Sequence, residues 1–370
     1  MSELMLIWWI TLFLATVSLL VMGFLVIRRS WDERSERYNQ DARKVVQDIL
    51  FRFMLTENLD HERDLRNLLG FQRREKLLLR KLAIDLFHLI QGQERERLSH
   101  ILSQIGFRED CLHDLRTGTP RRRRLAAAAL QIFDDEESRQ ALLHALDDGD
   151  ADTRVVAATT LLILNAVPAT PLLLDKLHET IENQSHQVRN LFHGIARQAP
   201  SALVQAASDP NLSAASKALL AESMAFASSF EVLDPLLSFA VDADAEVRAS
   251  AIRSLTSLQH PVVEPVIKKG LNDPSWQVRA MAARAAGRIG LRDCVSALSY
   301  QMDDANWWVR FRAAEALYRL GDVGIEALQM RAGYTGCGDF GRGARMAALV
   351  LDEHGIRVAS ELIAENTSHA

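Results

Sequence analysis

The chain opens with an unbroken apolar run and then settles into helical periodicity. Met5 to Ile27 (MLIWWITLFLATVSLLVMGFLVI) holds no charged residue. As a helix rising 1.5 Å per residue it would span about 34 Å, enough for a hydrocarbon core of about 30 Å. A single transmembrane helix is therefore expected over 5–27, behind a short segment 1–4. A cleaved signal peptide is the competing reading. Against it, the apolar core exceeds the usual length of about 7–15 residues, no basic segment precedes it and no small-residue cleavage site follows. Next, Tyr38, Ala42, Val45, Val46, Ile49, Leu50 and Phe53 mark one stripe of a helix, with charges around the rest. Residues 28–56 thus read as an amphipathic juxtamembrane helix. Its stripe would pack on the rest of the chain, self-associate or lie on the bilayer.

From 57 to 118 the helical pattern continues without a fixed repeat. It predicts helices over 73–91, 94–105 and 108–116, forming an N-terminal cap or diverged repeats. Beyond Thr119 the pattern becomes periodic. Thr119 followed by Pro120 is a helix start. Longer helices are expected near 152–164, 186–198, 214–227, 245–258, 276–289 and 307–320, each after a shorter partner. Asp273-Pro274 and Gly290 punctuate the units. Almost no stretch alternates apolar and polar residues in a run rich in Val, Ile or Thr, so no sheet is expected.

One set of residues recurs with this period. Arg154, Arg189, Arg248, Arg279 and Arg310 follow Asp148, Asn183, Asp242, Asp273 and Asp304 by six positions. They precede Ala157, Phe192, Ala251, Ala282 and Ala313 by three. The spacing is 31 residues from Arg248 to Arg279 and again from Arg279 to Arg310. A fixed period with fixed chemistry means stacked copies of one unit. The expected fold is all-α: an α-solenoid of antiparallel helix pairs over 119–370, preceded by one transmembrane helix. Each Asp is expected to cap its helix start, and each Arg to reach the Asp of its own or the adjacent repeat. The ladder is read as structural. The copy at 214–227 lacks the Asp and carries Lys217 in place of Arg, so its chemistry is expected to lapse.

The stretches Asp273 to Ala283 (D-x-x-W-Q-V-R-x-x-A-A) and Asp304 to Ala314 (D-x-x-W-W-V-R-x-x-A-A) resemble HEAT repeats. The likeness is to the short-period subclass seen in phycobilisome lyase-like proteins and covers about 120–355. It implies the fold and says little about activity. It also implies a second functional reading, a phycobilin lyase-like enzyme or an accessory subunit of one. Another HEAT-type enzyme class, deoxyhypusine hydroxylase, holds two irons with paired His-Glu motifs. This chain has only His61-Glu62 and His178-Glu179, at non-equivalent repeat positions. No catalytic residue, metal site or cofactor is assigned.

Charge refines the picture. Hydrophobic residues make up 48% and aromatics only 6%, so Ala and Leu carry the core. The net charge of −5 is uneven: 28–124 is basic, at +6, and 125–370 is acidic, at −10. An acidic repeat region argues against nucleic-acid binding. Arg28, Arg29, Arg34 and Arg37 directly follow the apolar span. The positive-inside rule then places the N-terminus outside and the repeats in the cytoplasm, at a bacterial inner (plasma) membrane. Cys111, Cys294 and Cys337 form no ligand or disulfide spacing, which suits a reducing compartment.

Three groups are candidate contact sites. Trp276 and Trp307 share one repeat position and Trp308 adds a third indole; they form an aromatic ridge for a partner or pack between repeats. Arg121, Arg122, Arg123 and Arg124 would meet anionic lipid or an acidic partner, or form a solvated face with one Arg paired. The loop 333–343 contains Gly336-x-Gly338-x-x-Gly341. With no strand before it, it reads as a partner-binding loop carrying Tyr334, Phe340 and Arg342, rather than a nucleotide site. The expected function is a membrane-anchored scaffold or adaptor for a membrane-associated protein partner, in an envelope or polysaccharide-assembly or signalling complex. No small-molecule ligand is called for. A third reading is an anionic-lipid sensor acting through 28–124.

Overall fold

Every described element of regular structure is a helix. The computed structural model describes residues 73–333 and 340–356, together with Trp8, Trp9, Thr16, Ser18, Val21 and Met22, which are helical. The rest of the expected span 5–27, the juxtamembrane helix 28–56 and residues 57–72 lie outside the described residues. Among the described residues no helix is long and apolar enough to cross a membrane. The chain divides into two compact units, Met1–Leu164 and Asn165–Ala370.

In the first unit, α1 (Arg73–Leu89), α2 (Gln93–Gln104) and α3 (Phe107–Thr117) coincide with the helices expected from periodicity to within two residues. On α1, Leu79, Leu82, Ala83, Leu86 and Phe87 are buried, the spacing of one helical face. They are followed by α4 (Pro120–Ala129), α5 (Glu136–His144) and α6 (Ala151–Ile163). Ala126, Ala127 and Ala129 are fully buried on α4, which packs against α1, α3 and α6. Small side chains let these axes come close. Thr119 stands at the N-cap of α4, but its hydroxyl makes no cap hydrogen bond. Pro120 alone supplies that start signal.

In the second unit, short and long helices alternate. The short ones are α7 (Thr170–Lys176) with α8 (His178–Glu182), then α10 (Pro200–Ala207), α12 (Leu233–Phe239), α14 (Glu264–Gly270), α16 (Val295–Gln301) and α18 (Asp322–Ala332). The long ones are α9 (His186–Gln198), α11 (Ala214–Met224), α13 (Ala245–Leu258), α15 (Trp276–Ile289), α17 (Trp307–Arg319) and α19 (Phe340–Glu353). Successive long helices pack side by side, and each short helix from α12 to α18 packs on the long helix that follows it. This is solenoid-like stacking of helix pairs, as the period predicts.

The repeat positions explain the stacking. The residue three past each ladder cation is fully buried: Ala126 and Ala157 in the first unit, and Phe192, Leu220, Ala251, Ala282 and Ala313 in the second. The tightest approach is between α15 and α17. A Cβ added to Gly287 would lie 2.6 Å from Ala316 Cα and 2.8 Å from its Cβ. Only a residue without a side chain fits there.

Candidate interaction surfaces

The Asp/Arg ladder has one repeating geometry. Arg248 Nη1 donates to the carbonyls of Asp242 (2.9 Å) and Ala243 (2.8 Å) in its own repeat. Its Nε and Nη2 donate to the Asp273 carboxylate of the next, at 2.9 and 2.7 Å. Arg279 does the same with the carbonyls of Asp273 (2.8 Å) and Pro274 (3.0 Å) and the Asp304 carboxylate (2.7 and 3.1 Å). Arg154 and Arg310 hold the carbonyls of Asp148 and Asp304, at 2.8 and 2.7 Å. The guanidiniums of Arg248 and Arg279 therefore each tie their own helix start through its backbone and the next repeat through its carboxylate.

Several expectations are corrected by this geometry. The ladder Asp is not the helix cap. Its carboxylate accepts the N–H of the residue two further on: Asp150 on Asp148 (2.8 Å), Asp244 on Asp242 (2.9 Å), Ser275 on Asp273 (2.8 Å) and Asn306 on Asp304 (2.8 Å). Those later residues hold the N-cap position, and Asp150, Asp244 and Asn306 accept helix N–H bonds there. Lys217 does not mark a lapse. Its ammonium reaches Asp242 at 2.8 Å across the same 25 residues that separate Arg248 from Asp273. Arg189, which follows Asn183, sits outside the pattern and donates to His186 Nδ1 at 2.8 Å.

The basic run is largely committed to carboxylates. Arg122 pairs with Asp114 at 2.6 Å. Arg123 grips Asp148 through Nε (2.7 Å) and Nη2 (2.8 Å) and also donates to the Gly118 carbonyl. Arg124 reaches Asp152 at 2.5 Å. Arg121 is the exposed member. Arg123 is in fact a ladder residue: it precedes Arg154 by 31 and reaches an Asp 25 residues on. Runs of one residue type hide such a register in the sequence.

The three indoles divide differently. Trp307 and Trp308 are 44% and 50% exposed and meet edge to face at 4.9 Å. Phe311 stacks on Trp307 at 5.2 Å, and the Arg312 guanidinium lies 5.5 Å from the Phe311 ring centre. Trp276, 38% exposed, joins no ring pair among the described residues. The ridge is thus a local cluster at the start of α17, not a column along the repeats.

Tyr334 and the side chain of Phe340 lie outside the described residues, while Arg342 is exposed on α19. The expected loop 333–343 is corrected at its far end, because α19 begins at Phe340 and takes in Gly341 and Gly343. A Cβ on Gly343 would meet Asp303 Oδ1 at 2.6 Å and Arg331 Nε at 2.9 Å. Asp303 and Arg331 are themselves ion-paired. That glycine serves close packing on an ion pair.

A further surface escaped the sequence reading. Across the long helices of the second unit, Glu222, Arg253, Arg284 and Glu315 occupy one repeat position, 31 residues apart. Arg288 and Arg319 occupy another. Two adjoining concavities of about 430 and 230 Å³ share Glu222 and Arg253. Ala214, Ala215 and Ala218 form part of the first; Phe226, Met281, Arg284 and Arg288 line the second. Glu315 is engaged by Arg312 and Arg319, each at 2.6 Å. Among the described residues, Arg253, Arg284 and Arg288 have no carboxylate within ion-pair distance. Burial, and then the like charges of Arg312, Arg288 and Arg319, lower the Arg284 pKa from its ordinary value despite nearby Glu315. The 31-residue period, applied to every arginine and not only the ladder, would have revealed this row.

His178 and Glu179 are exposed, and His61-Glu62 lies outside the described residues. No group of three or more His, Cys, Asp or Glu among the described residues is arranged to hold a metal ion.

Comparison with known proteins agrees with the repeat pattern. Residues 263–335 match the family model described as HEAT repeats. No curated protein matches the chain in sequence. Among solved structures, Kap121p is 12% identical, with a TM-score of 0.45 over 86% of this chain. The chain spans 42% of the length of that protein. Human deoxyhypusine hydroxylase in complex with glycerol is 17% identical, with a TM-score of 0.30 over 76% of this chain and 97% of its own. HEAT-repeat sequence is thus recognisable in 263–335, where the period of the ladder is strictest.

Proposed function

We propose that the chain is a non-catalytic scaffold that binds a protein partner at the cytoplasmic face of a bacterial inner membrane, anchored through 5–27. The observation that carries the binding role is the pair of exposed indoles, Trp307 and Trp308, clustered with half-buried Phe311 on a helix held by the ladder. Large aromatics presented on a fixed frame are favoured anchors, since they lose little entropy on contact. The apolar run 5–27 and the four arginines after it support the anchor and its orientation. Anchoring raises the local concentration of the scaffold near membrane partners, including envelope or polysaccharide-assembly or signalling machinery. Pairing of Arg122, Arg123 and Arg124 with carboxylates weakens the lipid-sensor reading.

Affinity capture of the full chain from mild detergent tests the scaffold. A protein recovered with the native chain is expected to be lost with the W307A/W308A variant, whose helical circular dichroism stays unchanged. An identical set of captured proteins for both would sink the reading. A C-terminal reporter that is active only outside the cytoplasm should stay silent, and activity there would overturn the orientation.

A further inference from the structure

The unpaired arginines between α11 and α17 are charges held in place at a cost. Like charges on adjacent helices repel, and among the described residues no carboxylate pairs with them. Glu315, the carboxylate that acts on Arg284, is already taken by Arg312 and Arg319. At the other end of the row, Glu222 lies 4.0 Å from His193. Beside it, Phe226 is 39% exposed, stacks on His193 and lies under Arg197. The groove therefore offers guanidiniums and an apolar ring side by side.

We infer that this groove binds an extended acidic segment of a protein partner, with carboxylates on Arg253, Arg284 and Arg288 and an apolar side chain against Phe226 and Met281. The inference rests on the protein-binding reading above and names the chemistry of what is bound. Packed helices lie about 8–10 Å apart, and an extended chain advances about 3.4 Å per residue. Carboxylates two or three residues apart thus match arginines on neighbouring helices. Arginine forks grip carboxylates bidentately, which fixes register as well as charge. A long polyanion is disfavoured, because residues 125–370 carry a net charge of −10. A short segment senses mainly the groove, since salt screens charges beyond about 8 Å. A bilayer surface cannot enter a recess between helices.

Fluorescence anisotropy with the full chain in neutral detergent tests this. The probe is a labelled peptide of about ten residues, alternating Glu and Ala, long enough to cross three helices. The native chain should bind it with an affinity that falls as salt rises, and should bind a Lys/Ala peptide at least about tenfold more weakly. R253E/R284E should weaken the Glu/Ala peptide by about tenfold or more, and R253K/R284K by much less. R288Q, at an exposed position, should weaken it severalfold with an unchanged melting temperature. Equal affinity for the two peptides would overturn the proposal, as would R253E/R284E and R288Q binding like the native chain. The assay does not involve Trp307 or Trp308. Failure of the aromatic anchor and failure of the groove are therefore distinguishable.

Discussion

Arg248 and Asp273 are joined by two parallel hydrogen bonds, 2.9 Å from Nε and 2.7 Å from Nη2, across 25 residues of chain. The same guanidinium holds the Asp242 carbonyl of its own repeat. One side chain thus clamps a helix start and its neighbour together, and both partners are mostly buried. A largely buried fork of this kind exceeds an exposed ion pair, which is worth at most about 1 kcal/mol. R248A and D273A should each lower stability by about 2 kcal/mol, with a coupling in the double-mutant cycle of about 1 kcal/mol, read from denaturant midpoints. Additive effects would mean the fork contributes nothing as a pair.

The ladder also sets an acid limit. Burial pushes the Asp273 carboxyl up, but the Arg248 hydrogen bond, the Ser275 N–H and the arginine charges outweigh it and hold it below the usual range. Asp242 is depressed in the same way by Lys217, Asp244 N–H and Arg248. Carboxyls depressed on folding contribute stability that is fully present above their unfolded pKa of about 3.9, and lose it as pH falls through the lower folded values. The melting temperature should stay level from neutral pH to about 5 and fall below about 4. D242N/D273N should flatten that acid limb. An unchanged limb would show that these carboxyls are not its source.

Close helix approach makes any larger residue at Gly287 costly. A methyl group there meets the Ala316 backbone at 2.6 Å, so α15 and α17 must part. Overpacking of this kind costs about 1–3 kcal/mol. G287A should lose that much by chemical denaturation, whereas an exposed control such as S257A should lose under about 0.5 kcal/mol.

A stabilising change is available one repeat earlier. Gln259, Gly290 and Gly321 occupy one repeat position, and all have positive φ: 52°, 83° and 73°. Gln259 ends α13 in a left-handed conformation that glycine adopts without a Cβ penalty. Q259G should raise stability by about 0.5–1 kcal/mol despite the added freedom of the unfolded chain. A lower melting temperature would refute the strain.

The first unit holds a different kind of ion pair. Arg80 and Asp114 are almost fully buried and hydrogen-bonded to each other, and Arg122 approaches the other Asp114 oxygen at 2.6 Å. D114N should cost about 3–5 kcal/mol by leaving Arg80 a buried, unbalanced charge. Cys111 lies in the same core, where burial pushes its thiol up to about 12 even though Arg80 draws it down. Alkylation of Cys111 at pH 8 should therefore track unfolding in native protein and accelerate in D114N. Rapid alkylation of the native chain would contradict its burial.

Much of this architecture is encoded position by position. Apolar spacing of three and four residues marks each helix, because one face must leave water wherever the helix lies. The 31-residue period repeats the same small buried residue, so stacking was legible from Ala251, Ala282 and Ala313 alone. Assignments that depend on a neighbour were not legible. Lys217 and Arg123 join the ladder only because a folded helix brings each beside an Asp 25 residues away. The four arginines from Arg121 looked alike until three met different carboxylates. Arg253 meets Arg284 and Arg288 in one groove because side-by-side packing turns the 31 residues between Arg253 and Arg284 into a separation of about 10 Å. Sequence determines which faces are buried, since burial is a property of each side chain; tertiary packing decides which charges are neutralised, since that depends on what stands across the interface.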